Sequence, residues 1–212
     1  MAKSAAEPGL NFLEIGSWVG DSSIVLGKIA QKHNGRLFCV DWWKGSEETG
    51  LDTAAAEKDI FSLFWTRICK EGLEDVVVPI RTLSDVALKF LKKESFNLVF
   101  IDGDHRYSQV LKDIKNCVPL IETEGGVLCG HDCEGYVVDY HADFLKAGKA
   151  ADTLESVHCG VILAVGESFK DYSINHSIWS VRYSKKSKTW EPATIETPGL
   201  EYSKQDSPPP LG

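Results

Sequence analysis

Residues 12–23 read FLEIGSWVGDSS, and the interpretation of the whole chain starts from this stretch. It opens with a short apolar run that contains an acid, Glu14, and continues with Gly16 and Gly20 in an E-x-G-x-x-x-G spacing. Glycine lets the backbone turn sharply and lets a ligand lie directly against it. The polar residues that follow, with Asp21 or Ser22 as N-cap, are typical of a helix start. The stretch therefore predicts a strand, a ligand-binding turn and a helix.

The same alternation of short apolar runs and helical stretches continues along the chain. Five strands are predicted at 10–15, 36–40, 76–80, 98–101 and 126–129. Helices are predicted at 22–33, 53–71, 83–92 and 107–120. Nearly continuous apolar strands between helices indicate a parallel sheet that is covered on both faces. We therefore expect an α/β fold, with a doubly wound, Rossmann-like and mostly parallel sheet.

The C-terminal part of the sequence changes character. Residues 136–156 look helical, whereas 161–165 and 177–183 look like two further strands, which complete a seven-stranded sheet with an antiparallel edge. Residues 1–190 are expected to form a single ligand-binding domain. Residues 191–212 are rich in Pro, Ser and Glu and are expected to form a loosely ordered tail.

Composition excludes several classes of protein. The 212 residues are 43% hydrophobic and 25% charged, which is the balance of a globular protein and excludes wholesale disorder. A net charge of −8 argues against binding to DNA or RNA backbones. Membrane insertion is not expected, because there is neither an uncharged apolar stretch of about 18 residues nor a signal-peptide pattern.

The six cysteines, at 39, 69, 117, 129, 133 and 159, do not form a C-x-x-C pair, and most lie in apolar runs. This pattern favours reduced core thiols in a cytoplasmic protein. Cys129 and Cys133 bracket His131 and Asp132, so a thiolate metal site is an alternative, although the spacing fits no common zinc pattern.

Ligands of such sheets bind beyond the carboxyl ends of the strands. An acid at the end of the second strand, Asp41, is suited to hold two ribose hydroxyls. Glu14 in the first turn would repel a pyrophosphate but attract an ammonium group, and the turn lacks the G-x-G-x-x-G dinucleotide pattern. An adenosine ligand with an amino-acid end fits this combination, and S-adenosylmethionine is such a ligand.

A second cluster follows the fourth and fifth strands. Asp102 follows the fourth strand and Asp132 follows the fifth. Because neighbouring strands lie about 5 Å apart, the two carboxylates can share a divalent cation. Oxygen ligands suit Mg²⁺, whereas a nitrogen from His131 would favour a transition metal. His105, three residues beyond Asp102, is a candidate general base.

Taken together, these motifs resemble class I S-adenosylmethionine-dependent methyltransferases. The segments FLEIGSWVGDSS, VDWW, TLSDVALKFL, FNLVFIDGDHRYSQVLKDI and GGVLCGHD are similar, in order and spacing, to the metal-dependent O-methyltransferase branch that includes macrolide-sugar and catechol methyltransferases. The resemblance runs from residue 12 to residue 136 and implies methyl transfer from a sulfonium to a hydroxyl group.

The resemblance also implies roles for individual residues. The first turn, with Glu14, Gly16, Ser17, Gly20 and Ser22, would line the methionine portion of the cofactor. Asp41 would hold the ribose, Trp42 would pack near the adenine, and Ser84 would lie near the adenine amine. Asp102 would border the cofactor and, with Asp132, match metal-ligand positions. His131 falls where relatives often carry an acid. His105 falls where relatives place the base that takes the acceptor's proton.

Two alternatives remain open at this point. One is a nucleotide-cofactor oxidoreductase or hydroxylase-like enzyme on the same fold, and the other is a binding protein without catalysis. The partner of the favoured enzyme would be a small-molecule acceptor that the sequence does not identify. Relatives carry helices before the first strand, whereas about nine residues precede it here. Closure of the pocket would therefore fall to 42–60, to 134–156 or to a second subunit in a homo-oligomer.

Overall fold

Five parallel strands form the centre of the sheet in the computed structural model, which describes residues 9–46, 50–122 and 125–194. The parallel strands are β1 (Asn11–Ile15), β2 (Arg36–Asp41), β3 (Val77–Arg81), β4 (Leu98–Ile101) and β5 (Val127–Gly130). Their spatial order is β3-β2-β1-β4-β5, so the chain moves outward from β1 in one direction and then returns to β4 on its other side. The topological switch point therefore lies between β1 and β4.

Three antiparallel strands extend the sheet beyond β5. They are β6 (Ser173–Asn175), β7 (Ile178–Ser184) and β8 (Thr189–Pro192). β7 pairs with β5 on one side, and β6 and β8 pair with successive parts of β7. The expected mostly parallel, doubly wound sheet with an antiparallel edge is thus confirmed, with eight strands among the described residues in place of the seven expected.

Helices cover both faces of the sheet. They are α1 (Asp21–Lys32), α2 (Leu51–Glu57), α3 (Ile60–Lys70), α4 (Ser84–Ala87), α5 (Tyr107–Cys117), α6 (Ala142–Gly148) and α7 (Cys159–Ser168). Residues from α1 and α3 form one hydrophobic core with β2 and β3, whereas α5 and α7 pack with β4 and β5 into the other. Two cores on opposite faces are what a doubly wound sheet requires.

Several predicted helices are shorter than expected. The stretch 53–71 is two helices, because Asp59 begins a new one as its N-cap and its carboxylate accepts from the Ser62 amide at 3.0 Å. The stretch 83–92 forms only the four-residue α4. α1 begins at Asp21 after Gly20, whose left-handed φ of 89° replaces the side-chain cap expected from Asp21 or Ser22.

The strand predicted at 161–165 is wrong, because these residues belong to α7. Its sequence CGVILAV is a short run that is apolar throughout, and periodicity alone does not distinguish a buried helix from a buried strand in such a run. Packing decides the outcome, since α7 lies against both α5 and α6. The predicted helix at 136–156 is likewise reduced to α6 and one 3-10 turn at Val137–Asp139.

The structure also bears on the predicted tail, the cysteines and membrane insertion. Glu191 and Pro192, at the start of the predicted tail, belong to β8, and the tail from residue 195 lies outside the described residues. Five cysteines are buried and Cys69 is exposed, and all six are free thiols. Burial raises the pKa of Cys129 and of Cys133 to about 12, which disfavours the thiolate form that a metal would need.

In the described ranges, none of the helices is long and apolar enough to cross a membrane.

Candidate functional site

The turn after β1 lies directly against the end of β4, at the switch point. Gly16 has a φ of 86°, and a Cβ atom on it would lie 2.0 Å from the carbonyl oxygen of Asp102. Asp102 in turn donates its amide to the carbonyl of Ile15 at 2.8 Å. Glycine is therefore required at position 16 both by backbone conformation and by the close approach of the two strand ends.

A cleft of about 370 Å³ opens at this point between the ends of β1, β2 and β4. The predicted cofactor residues in its wall are Gly16, Asp41, Trp42, Ser84 and Asp102. Two wall residues that the sequence reading missed, Gln109 and Asp113, project from the first turns of α5. The cleft therefore gathers the acid of β2, an exposed indole and the acid of β4 around one space.

Asp41 is held at the end of β2 by the backbone of two tryptophans. Its Oδ2 accepts from the amide of Trp18 at 2.8 Å, and its Oδ1 accepts from the amide of Trp43 at 2.6 Å. Burial raises the pKa of this carboxyl from its ordinary value, although the backbone amides oppose the shift. A carboxylate has about four acceptor positions, so Asp41 retains capacity to accept from ligand hydroxyls.

Glu14 lies beneath the turn, fully buried, and is not in the wall of the cleft. Its Oε2 accepts from the Ser17 hydroxyl at 2.6 Å, from the Ser23 hydroxyl and from the Cys39 thiol at 3.3 Å, while Oε1 has no hydrogen-bond partner. Burial raises the pKa of Glu14. These bonds fix the turn, and a direct contact of Glu14 with a methionine ammonium stays a prediction.

The remaining predicted turn residues do not border the cleft either. Ser17 is buried against Glu14, Gly20 packs against the ring of Phe64, and Ser22 is partly buried in the first turn of α1. Their predicted contacts with the methionine portion also stay predictions. In the predicted VDWW motif, Trp42 is 39% exposed and lines the cleft, whereas Trp43 is buried in the core.

The three predicted metal ligands lie together at the ends of β4 and β5. Nδ1 of His131 lies 3.0 Å from Asp132 Oδ1 and 3.9 Å from Asp102 Oδ1. One ligand atom from each residue lies within 4.8 Å of the others. Asp132, two residues beyond the end of β5, adopts a left-handed φ of 58°, and such local strain is often found at functional sites.

Burial and the neighbouring charges shift the pKa of each member of this group. Burial raises the pKa of Asp102 to about 6. Burial also acts to raise the pKa of Asp132, but the neighbouring His105 and His131 outweigh it and hold that pKa well below its usual range. The contact with Asp132 raises the pKa of His131. Asp132 is therefore the fixed anion of the group.

His105 lies between two carboxylates. Its Nδ1 is 2.8 Å from Asp152 Oδ1, and its Nε2 is 2.9 Å from Asp132 Oδ2 and 4.0 Å from Asp102 Oδ1. Burial by itself would lower the pKa of His105, but the carboxylates of Asp132 and Asp152 outweigh it and raise the pKa to about 9. The structure thus brings the predicted base into the predicted metal cluster.

Three further members of this cluster escaped the sequence reading. His158 Nδ1 lies 2.6 Å from Glu134 Oε1, the His158 ring lies 4.6 Å from that of His105, and Asp152 holds His105 from the far side. Residues 134, 152 and 158 come from a segment that was expected to be largely helical and to lead into a strand. Only the closeness of Glu134 to Asp132 in the sequence could have pointed to this group.

A glycine explains how the start of α7 reaches the cluster. A Cβ atom on Gly160 would lie 2.2 Å from the carbonyl oxygen of His105 and 2.4 Å from the amide nitrogen of Tyr107. The first turn of α7 therefore rests directly on the loop between β4 and α5. His158 precedes that turn and is brought beside His105 for this reason.

The comparisons with known proteins agree with this architecture. The profile of a family described as "Methyltransferase domain" matches residues 13–133, which is more than half of the chain. No curated protein matches the sequence significantly.

Among solved structures, cofactor-bound Rv0187 from MTB is 17% identical with a TM-score of 0.56, covering 82% of this chain and 73% of that one. An O-methyltransferase from Bacillus cereus in complex with SAH is 19% identical with a TM-score of 0.53, covering 83% and 74%. The O-methyltransferase TomG from Streptomyces achromogenes, in complex with SAM, is 17% identical with a TM-score of 0.54, covering 83% and 74%.

These structural likenesses establish a shared fold, and the profile match establishes the family. The resemblance to methyltransferases is confirmed by the family match, and the fold that it implies is confirmed by the structural likenesses. The chain belongs to the methyltransferase-domain family.

Proposed function

We propose that this protein is an S-adenosylmethionine-dependent O-methyltransferase that acts on a small hydroxylated acceptor, such as a sugar, a phenol or another natural product. One observation carries the proposal: Asp102 lines the cleft and also lies within 4.0 Å of His105 Nε2 and His131 Nδ1. The space suited to the cofactor and the group suited to deprotonate an acceptor therefore meet at a single residue.

The cleft residues fit the proposed cofactor. Asp41 can accept from two ribose hydroxyls, the exposed ring of Trp42 offers a stacking surface for adenine, and Ser84 offers a hydroxyl near the adenine amine. Gln109 donates its amide NH₂ to both oxygens of Asp113 at 3.2 Å, so its carbonyl oxygen is oriented away from that carboxylate. The Bacillus cereus and Streptomyces relatives, crystallised with SAH and SAM, support the same cofactor class.

A divalent cation also fits the cluster, and Asp102, His131 and Asp132 would hold it. Two carboxylates are suited to Mg²⁺, whereas the imidazole of His131 favours Mn²⁺ or Zn²⁺. When bound, the cation supplies positive charge that makes an acceptor hydroxyl more acidic. Ligation would also withdraw charge from Asp132, which is one of the two carboxylates that favour the protonated form of His105.

His105 acts as the general base in this proposal. Asp152 accepts a hydrogen bond from Nδ1, so Nε2 is the atom that receives the acceptor's proton. The acceptor oxygen then attacks the methyl carbon in line with the sulfur, and the carbon–sulfur bond breaks as the carbon–oxygen bond forms. The cleft contributes by aligning the three atoms, since such positioning can account for several kcal/mol of a reaction barrier.

The first test is calorimetric titration of the purified chain with S-adenosylhomocysteine, with and without Mg²⁺, and with NAD as the control ligand. Micromolar binding of S-adenosylhomocysteine alone is expected and would justify an acceptor screen that begins with sugars and phenols. Binding of NAD in its place would move the assignment to a nucleotide-cofactor oxidoreductase. Tight binding without methyl transfer to any acceptor would favour a non-catalytic binding protein.

A further inference from the structure

We infer that the cluster binds a second divalent transition-metal ion, held by Asp132, Glu134 and His158, with Asp132 shared between the two ions. This inference rests on the proposed function for its first ion, which Asp102, His131 and Asp132 would hold. The second site lies on the side of the cluster that faces α7. Two of its ligands, Glu134 and His158, have no assigned role in methyl transfer. One ligand atom from each of the three residues lies within 4.8 Å of the others.

The distances around His158 place its ring nitrogen at the centre of this second group. Nδ1 of His158 lies 2.6 Å from Glu134 Oε1 and 3.8 Å from Asp132 Oδ1. An ion about 2.1 Å from each ligand atom needs those atoms roughly 3.0 Å apart in octahedral geometry and roughly 3.4 Å apart in tetrahedral geometry. Binding would therefore lengthen the Glu134–His158 distance and shorten the Asp132–His158 distance, each by less than about 1 Å, and rotation of the side chains can supply both changes.

The backbone already fixes two of these ligands. Glu134 Oε2 accepts from the amide of His158 at 3.1 Å, which leaves Oε1 directed at the imidazole. Gly160 anchors the residues just after His158 against the His105 carbonyl. The group is therefore positioned by contacts outside the ligand set, as preformed metal sites are.

Asp132 is placed to bridge two ions. Its Oδ1 lies 3.0 Å from His131 Nδ1 and 3.8 Å from His158 Nδ1, so the same oxygen faces a nitrogen from each ligand group. In enzymes with two metal ions, the ions lie about 3.5–4 Å apart and share ligands in this way.

The charge of the cluster also calls for cations. It contains four carboxylates, Asp102, Asp132, Glu134 and Asp152, and three imidazoles, which are joined in one network of His–carboxylate contacts. It stays net negative even when every imidazole is protonated, and partly buried charges of one sign repel strongly. In addition, the buried Nε2 of His105 has no aligned hydrogen-bond partner, despite its short distance to Asp132.

The donor set indicates the class of ion. One imidazole nitrogen with two carboxylates suits Mn²⁺, Fe²⁺ or Zn²⁺, whereas Mg²⁺ prefers oxygen ligands and retains several waters. The first group has the same kinds of donor, so we expect both sites to favour these ions over Mg²⁺.

The test is the stoichiometry of Mn²⁺ binding to the full chain, measured by equilibrium dialysis with elemental analysis and by electron paramagnetic resonance. Two ions per chain and a spin-coupled signal are expected. Glu134→Gln and His158→Gln should each lower the count to one and remove the coupling. Asp102→Asn should also leave one ion, and Asp132→Asn should lose the coupled pair. Asp143→Asn, at an exposed acid on α6, is the matched control and should retain two.

The outcomes separate this inference from the proposed function. One ion per chain that is lost in Asp102→Asn but kept in Glu134→Gln overturns the second site and leaves the first intact. One ion that is lost in Glu134→Gln but kept in Asp102→Asn supports the α7 group and contradicts the first ligand set. No ion in the wild type overturns both. Circular dichroism identifies a variant that fails to fold, and Glu134→Gln and His158→Gln serve as checks on each other.

Discussion

His105 Nδ1 lies 2.8 Å from Oδ1 of Asp152, although the two residues are 47 positions apart in the sequence. A carboxylate lies beside each ring nitrogen, at 2.8 Å from Nδ1 and 2.9 Å from Nε2. When a cation ligates Asp132, Asp152 is the carboxylate that holds the imidazole proton on Nδ1, and Nε2 then faces the site without a proton. Asp152 therefore acts as a positioning residue for the proposed base.

Asp152→Asn should release this constraint. In the wild type loaded with divalent cation, we expect ¹⁵N NMR to show His105 as the Nδ1–H tautomer, and in the variant a mixture of tautomers. Once an acceptor is known, kcat should fall by at least about tenfold while KM for S-adenosylmethionine stays unchanged, because general bases contribute about 10²–10⁴-fold to rate. A KM increase with unchanged kcat and tautomer would argue against the positioning role. Asp143→Asn is the control.

Asp41 should contribute directly to cofactor affinity. Replacing it by Asn retains an acceptor for one backbone amide but removes the charge that favours two ribose hydroxyls. We expect S-adenosylhomocysteine to bind about 10–100-fold more weakly, because hydrogen bonds to charged groups contribute about 1.5–3 kcal/mol. Calorimetry measures the affinity and thermal unfolding checks the fold. Unchanged affinity in a folded variant would remove Asp41 from the ribose role. Asp52→Asn, at an exposed acid in α2, is the control.

A comparison of Gly16 with Gly72 separates two effects of replacing a glycine: backbone strain at a left-handed φ, and a steric clash of the new Cβ atom with neighbouring backbone. Both have a left-handed φ, of 86° and 66°, but a Cβ on Gly16 meets the Asp102 carbonyl whereas nothing lies within 4 Å of a Cβ on Gly72. Gly72→Ala should lower the free energy of unfolding by about 1–2 kcal/mol through backbone strain alone. Gly16→Ala should lower it further and abolish S-adenosylhomocysteine binding. Urea denaturation measures the free energy of unfolding of both variants. Equal losses of stability would mean that the ends of β1 and β4 can move apart without cost to make room for the Cβ atom.

The five parallel strands and the residues at their ends could be predicted, because strand–helix alternation and the carboxyl-end rule depend on local pattern. Asp41, Asp102, His105 and Asp132 were found in this way. The second half of the cluster could not be predicted, since it depends on how α7 packs. The run that forms α7 is apolar on every side, so its secondary structure is decided by contacts with α5 that no local window contains. If that run is taken as a strand, nothing in the sequence places His158, the residue just before it, beside His105.

Asp113 gives a pH dependence that is independent of the cluster. It is 2% exposed in α5, and burial raises its pKa to about 6, although hydrogen bonds from Ser84 and Gln109 oppose the shift. A carboxyl whose pKa is raised on folding holds its proton more tightly in the folded state. Its stabilising effect is therefore complete below pH of about 4, the unfolded pKa, and is lost as pH rises through about 6.

Asp113→Asn removes this titration, so the variant should gain stability relative to the wild type as pH rises from 4 to 7. A shift of about two pH units corresponds to about 3 kcal/mol, which is the largest change expected in the difference between the two proteins. Urea denaturation of both ligand-free proteins at several pH values measures it. The control is Asp139→Asn, at an acid whose carboxylate accepts from the amide of Tyr136 at 2.8 Å outside the cleft. A difference between wild type and Asp113→Asn that stays constant over this pH range would show that the pKa of Asp113 is the same in the folded and unfolded states, and that Gln109 and Ser84 compensate fully for its burial.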